Sequence, residues 1–389
     1  MVRVCFFLLF FSVLFSPVVS FSQGCSDAGV CTMGTLSLVQ FRFEMLPPEK
    51  VTLNKIDEQD ADLAPKFKKN KGDSSGTRKT VVIPDSTPII GKSGKNAAMD
   101  TLRKTIDSTG IDFKSSTSVR FVLRYPKVQL HTTFNYGVGD RGTTIFSPQV
   151  EGVVRLVNRK LFGSLKIPYH FISGELGNVS GVGDPIASLS YIAFRKEQTN
   201  LVFSLGGKFA CNDASRKLND SLPLPMVYQT SLGSHDLLFG FKYTWRKLDF
   251  VFGYQHAFNR NNNGYLNRPD YSGDLPYNAY FQSRRLKRND DLVFRVNYNQ
   301  KIKKASGNLG VLFIYHTGND IIELENGSRV EVAGSAGLTI NLNVALLVPL
   351  KNNWELTLVG GAPVQIRESR PDGLTRQFVF SPGIRYNLF

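Results

Sequence analysis

The chain has 389 residues, a formal net charge of +15 and a mean hydropathy of −0.14. That length accommodates one large domain plus an appendage, and the hydropathy excludes a bundle of apolar transmembrane helices.

Residues 4–21, VCFFLLFFSVLFSPVVSF, form one long apolar run, preceded by Arg3 and followed by the small polar Ser22. This pattern predicts a secretory signal peptide over 1–22, cut after Ser22 or Gln23. The alternative is an anchor helix, but Pro17 interrupts the run. Residues 23–47 follow as a short segment in which Cys25 and Cys31 flank CSDAGVC. In an oxidising compartment these two are expected to close a disulfide loop; lipidation of Cys25 or a metal pair are the rivals. Cys211 stands alone in a polar stretch. Residues 48–116 contain PKFKKNKGDSSGTRKT and GKSGKNAAMDTLRK, with charges of both signs and few aromatics. They read as a flexible, lysine-rich insertion. Nothing aromatic is interleaved to stack on bases, so nucleic acid is not an expected partner.

From residue 117 to 389 the period changes to two. Leu237, Phe239, Phe241, Tyr243 and Trp245 alternate with residues such as Gly240, Lys242 and Thr244; Leu292, Phe294, Val296 and Tyr298 alternate with Val293, Arg295, Asn297 and Asn299. A strand puts each set on one face, where a helix would scatter both. Strands are expected near 119–136, 146–157, 161–172, 186–194, 201–210, 234–246, 247–258, 291–299, 309–316, 330–347, 354–361 and 377–389. The connections alternate between short ones, such as Arg246-Lys247 and Lys351-Asn352-Asn353, and long ones, 211–233 and 259–290. Short turns at one end and long loops at the other predict an all-β fold: an antiparallel transmembrane β-barrel of about twelve strands. A hairpin within 277–286 would raise the number to fourteen. Both termini then lie at the short-turn, periplasmic end of a Gram-negative outer membrane. The chain closes on RQFVFSPGIRYNLF, a strand that seals the barrel and addresses the barrel-assembly machinery. Its terminal Phe389 falls on the polar face by strict counting.

If one face meets lipid, the other lines a lumen. The inward candidates are Glu151, Arg155, Lys166, His170, Lys208, Lys242, Asp249, Arg295, His316, Glu331, Glu355 and Arg385. Mixed charge with a basic excess suits small anions, or amphiphiles with an acidic head. The same groups can instead pair and pack a narrow barrel shut. Arg367, Arg370 and Arg376 sit in a dense charged turn. They can recognise a phosphate or carboxylate, lipopolysaccharide head groups included, or cross-link the loop with Glu368 and Asp372. The five histidines, His131, His170, His235, His256 and His316, form no HExxH, and no nucleophile elbow is present. His256 with Ser231 or Ser234 is the one pairing that would support a hydrolase. No cofactor and no metal is expected.

Several segments carry a resemblance. CSDAGVCTMG, GNVSGVGDP at 177–185, LPMVYQTSLGSHDLLFG at 224–240, YQHAFNRNNN at 254–263, LKRNDDL at 286–292 and RPDGLTR at 370–376 resemble an outer-membrane β-barrel family of the Bacteroidetes. GVGDP and the LP…GSHDLLFG segment are also similar to FadL-like barrels, including those linked to the phenol meta-cleavage pathway. The resemblance spans the chain except 45–114. It implies transport of small hydrophobic molecules and an N-terminal plug, a role that would fall on 24–44. The expected function is therefore an outer-membrane channel or transporter for small hydrophobic or anionic molecules. A closed barrel serving as a scaffold or partner-binding surface, and an outer-membrane hydrolase, are the alternatives.

Overall fold

A computed structural model describes residues 42–45, 121–124, 126–157, 160–196, 199–219, 221–273, 276–374 and 376–389. The signal peptide, the Cys25–Cys31 pair, the segment 23–47 apart from Arg42–Met45, and the whole insertion 48–116 lie outside the described residues.

Twelve strands form the barrel: β1 (Val128–Val138), β2 (Thr144–Val157), β3 (Leu161–Gly174), β4 (Ile186–Lys196), β5 (Thr199–Lys208), β6 (Asp236–Trp245), β7 (Leu248–Ala257), β8 (Asp291–Ile302), β9 (Ala305–His316), β10 (Gly337–Pro349), β11 (Trp354–Gln365) and β12 (Val379–Leu388). Each pairs antiparallel with the next in sequence, and β12 pairs with β1 through Arg385↔His131 and Leu388↔Val128. Closure leaves no free edge, the condition for spanning lipid with strands. The segment Gly177–Val182 adds a short hairpin to the far end of β3. Arg42–Met45 pairs with Phe121–Arg124 as a separate two-stranded sheet. The strand expected over 119–136 is thus two elements, and only the second belongs to the barrel. Residues 277–286 hold a short 3-10 turn, Tyr277–Ala279, and no barrel strand, so the fourteen-strand alternative falls. The strand expected from residue 330 begins at Gly337; Arg329–Glu331 pairs instead with Ile321–Glu323 in a loop hairpin. Phe389 lies just beyond β12, so its parity does not bear on the barrel wall.

The alternation read from the sequence sets the two faces. Phe239, Tyr243 and Trp245 on β6 are exposed while Asp236 and Leu238 are buried. On β8, Phe294 and Tyr298 point out and Asp291, Val293 and Asn297 point in. The same holds on β12, where Phe380, Ile384 and Leu388 are exposed and Arg385 and Asn387 are buried. Exposed apolar side chains stand on every strand but β7, whose outward Phe250, Phe252 and Tyr254 are half-buried. They are far more than a water-facing surface carries. This is the apolar band of a membrane-spanning barrel. Rings on neighbouring strands meet along it, as in Phe134–Phe146–Phe171 and Phe203–Phe241–Phe252.

Turns after β2, β4, β6, β8 and β10 are short, and both ends of the barrel sequence lie at this same end. The loops after β5 (209–235), β7 (258–290), β9 (317–336) and β11 (366–378) gather at the other. There they fold together. Leu224, Val227 and Tyr228 pack with Tyr265, Tyr277 and Tyr280 and with Ile145 and Ile172 of the wall. A second cluster joins Met226, Leu232, Leu266, Leu286 and Ile322. Burying this much apolar loop surface opposes the entropy of fixing long loops.

Candidate functional site

Where the loops meet the wall, charge is concentrated and buried. Lys208 at the end of β5 lies 2.6 Å from Asp236 at the head of β6. Asp236 also accepts from Ser234 at 2.7 Å and from Gln255 on β7. Arg288, from the loop after β7, reaches Asp236 at 3.5 Å, Asp291 at 2.8 Å and Asp372 at 3.7 Å. Arg367 donates to Asp372 at 2.8 Å. His316 places Nδ1 2.6 Å from Asp291 and Nε2 2.8 Å from Asp320. Ionised carboxylates only accept, so a doubly protonated imidazole satisfies both contacts. Lys208, Arg288, His316 and Arg367 then balance Asp236, Asp291, Asp320 and Asp372. This balance of opposite charges is what makes so many buried groups tolerable.

The loop members of this network feel it in their ionisation. Burial disfavours the Arg288 cation, yet Asp291, Asp372 and Asp236 more than offset that and raise its pKa. Burial likewise penalises the Asp372 carboxylate, and Arg367 with Arg288 outweighs it, holding the pKa well below the usual carboxylate range. Burial pushes the Tyr277 phenol in the neighbouring loop cluster up to about 12.

Beneath the network the lumen wall changes character. Ile186, Leu238, Val293 and Leu312 form an apolar layer. Beside this layer, a cavity of about 50 Å³ lies under the in-folded loop 226–232 and is lined by Lys166, His170, Asp184, Ile186, Lys208 and Gln229 among others. That volume holds a few waters. Nearer the short turns the charges return in pairs: Lys242 with Asp249 at 3.1 Å, Arg385 with Glu355 at 3.5 Å and His131 with Glu151 at 3.8 Å. A carboxamide chain runs along the wall, Asn308 to Asn299 at 2.7 Å and Asn299 to Asp249 at 2.9 Å.

The structure therefore brings eleven of the twelve inward candidates to the interior. Glu151, Arg155, Lys166, His170, Lys208, Lys242, Asp249, Arg295, His316, Glu355 and Arg385 lie on inward positions of the strands. Glu331 does not. It is exposed on the loop hairpin and accepts from Asn319 at 3.2 Å. The extended valine-rich stretch 330–332 pairs locally, and the barrel strand starts only after the Gly334 turn. Arg367, Arg370 and Arg376 are buried, not displayed to solvent. Arg367 is held by Asp372, and Arg370 by Asp140 at 3.0 Å and the ring of Phe281. Arg367 thus takes the loop-tying role with Asp372, and Arg370 ties the loop to Asp140 instead; Glu368 packs against Gly334. His256 and the serines do not meet. His256 stands on the outward face of β7, 2.7 Å from Asp290. Ser234 donates to Asp236 inside, and Ser231 to the Asn212 carbonyl. The hydrolase reading loses its geometric support.

No protein-family model matches the chain, and no curated protein does. Among solved structures, an outer-membrane channel from Pseudomonas putida F1 aligns at 13% identity and a TM-score of 0.49, over 68% of this chain and 96% of the other. The NanC porin aligns at 10% identity and TM-score 0.40, over 67% and 100% of the two chains. Outer membrane phospholipase A from Escherichia coli aligns at 11% identity and TM-score 0.33, over 68% and 94%. At such values these are likenesses of barrel to barrel.

Sequence reasoning missed Asp236, Asp291, Arg288 and Asp320 as site residues, and named Asp372 only as a partner for the loop arginines. The first two carried a signal, because strand parity places them inward. Arg288, Asp320 and Asp372 lie in loops, where no period marks a direction. Asn341 and Asn343 were also readable by parity, as inward amides of β10.

Proposed function

We propose that the chain is an outer-membrane channel or transporter for small anionic molecules, including amphiphiles with an acidic head, whose mouth is closed by its own loops in this conformation. One observation carries the reading: beneath the mouth the barrel encloses Arg155, Lys166, Lys242, Arg295 and Arg385 against only Glu151, Asp249 and Glu355 on its inward strand positions. A lumen with more cations than carboxylates lowers the electrostatic barrier for anions. The apolar layer around Leu238 and Leu312 suits the tail of an amphiphile, which keeps the FadL-like resemblance in play as a finer proposal. The short turns and both termini are assigned to the periplasm and the long loops to the outside, the usual arrangement of such barrels.

The second reading is a closed scaffold. It is favoured by the complete burial of the loop network, with Asp236, His316 and Asp372 nearly inaccessible. Conductance of the refolded protein in a planar bilayer separates the two. Stepwise openings with a reversal potential favouring anions are expected. A barrel folded by circular dichroism that stays silent, even with its loop network broken, would leave the scaffold standing.

A further inference from the structure

The short-turn end carries a charge pattern that the lumen does not explain. Each described connection there presents exposed bases: Lys160, Lys196, Arg246 with Lys247, Lys303 with Lys304, and Lys351. In the sequence of these turns, 158–160, 196–198, 246–247, 303–304 and 350–353, Glu197 is the one carboxylate against the seven exposed bases. The long-loop end mixes both signs: Arg141 pairs with Glu175 at 3.0 Å and Arg285 with Glu323 at 3.5 Å, and the exposed Arg216, Lys217, Arg268 and Arg329 share that end with the exposed Asp213, Asp270, Glu325 and Glu331.

Backbone geometry adds a second observation. The two-residue turns after β6 and β8 open with left-handed residues, Arg246 at φ 55° and Lys303 at φ 54°. Glycine or asparagine suits that conformation far better. A base stands at both positions against the preference of the backbone.

A third observation fixes the depth of these charges. The chain has two tryptophans, Trp245 and Trp354, and both stand exposed on the outer wall directly beside these turns. Arg246 lies over the Trp245 ring at 5.4 Å, Lys247 lies near the ring of Tyr298 at 5.9 Å, and Trp354 packs on Tyr386. Indole and phenol rings settle at the headgroup level of a bilayer. Bases one or two residues beyond that belt reach the phosphates, with their alkyl stems along the apolar wall.

We propose that this rim is a collar that binds anionic phospholipid headgroups of the leaflet at the short-turn end. The depth set by the tryptophans favours lipid over a soluble polyanion. The collar selects anionic over zwitterionic headgroups by charge, so its preference weakens with salt.

Both tryptophans of the chain lie in the collar, so tryptophan fluorescence, excited clear of tyrosine absorption, reports it alone. The folded full-length protein is placed in phosphatidylcholine vesicles carrying, at equal mole fraction, either brominated phosphatidylglycerol or brominated phosphatidylcholine. Brominated phosphatidylglycerol is expected to show about a twofold or greater relative affinity at low salt, falling as salt rises. In the variant K160Q/K196Q/R246G/K247Q/K303G/K304Q/K351Q the two lipids should quench alike, with the phosphatidylcholine signal unchanged. The glycines fit the two left-handed positions, and heat-modifiable gel mobility confirms that this variant folds. Equal quenching in the wild type overturns the proposal and turns the rim toward an aqueous polyanion. A preference that survives in the variant overturns it too, by placing the selectivity elsewhere.

Discussion

Arg288 binds Asp291 at 2.8 Å, and in doing so it ties the loop after β7 to the head of β8 inside the barrel mouth. The same guanidinium faces Asp236 on β6 and Asp372 in the loop after β11. One side chain therefore links two loops to two strands. Arg288→Ala would leave three carboxylates short of a partner in a nearly inaccessible site. Removing one member of a buried ion network costs on the order of 3–5 kcal/mol. Because the loops contribute this network and the barrel wall has its own ladder, the loss should appear as a looser mouth. More frequent and longer openings in single-channel recordings are expected, with the heat-modifiable gel shift retained.

Asp372 gives the closed mouth an acid limit. Its folded pKa is depressed below the ordinary 3.8 by Arg367 and Arg288 acting against burial. A depressed acid contributes stability that is fully present above the ordinary carboxylate value and is lost as pH falls through the folded one. Closure should therefore be flat from about pH 7 down to about pH 4 and weaken below that. Asp372→Asn should shift openings upward at neutral pH and remove this residue's part of the acid dependence. A recording series across that range checks it; an unchanged acid profile in the variant would show that another group sets the limit.

The barrel was readable because its forces are local and periodic. The parity of Phe239, Phe241 and Tyr243 against Gly240 and Lys242 is a backbone consequence of two residues per repeat. Turn lengths then sorted the two ends. The mouth was not readable for the opposite reason. Arg288 meets Asp236 across 52 residues and Arg370 meets Asp140 across 230, and nothing in either loop encodes the distance. Glu331 shows the limit of parity itself, since Arg329–Glu331 is extended but pairs within its loop. The three arginines of 367–376 were rightly seen as dense charge, yet only folding decides whether such charge faces solvent or closes on Asp372 and Asp140.

Lys242 and Asp249 offer a test of the lumen. The pair sits 3.1 Å apart on inward positions of β6 and β7, with Thr244 and Asn299 also donating to Asp249. Lys242→Gln leaves Asp249 with neutral donors only, and the local potential becomes more negative. The reversal potential should move toward cations, by about a twofold change in permeability ratio. Lys242→Gln with Asp249→Asn should return it toward the wild-type value. No movement in the single variant would place the conducting path elsewhere.

Ile167 and Lys166 test the two faces at adjacent residues. Ile167 stands near the middle of β3, outward and half-exposed, opposite Val150 of β2. Lys166 points inward and is 7% exposed. If lipid covers the outer wall, a cation at 167 must be carried into hydrocarbon at about mid-depth, where Lys or Arg costs roughly 2–4 kcal/mol in a barrel. Ile167→Lys should therefore lower the free energy of unfolding from vesicles by about that amount. In detergent the penalty should shrink, because water and headgroups reach the side chain more readily. Lys166→Gln, one residue away, should stay within about 1 kcal/mol of wild type, since it keeps a polar group on a polar wall. Equal effects at the two positions would mean that the outer face of β3 does not meet lipid.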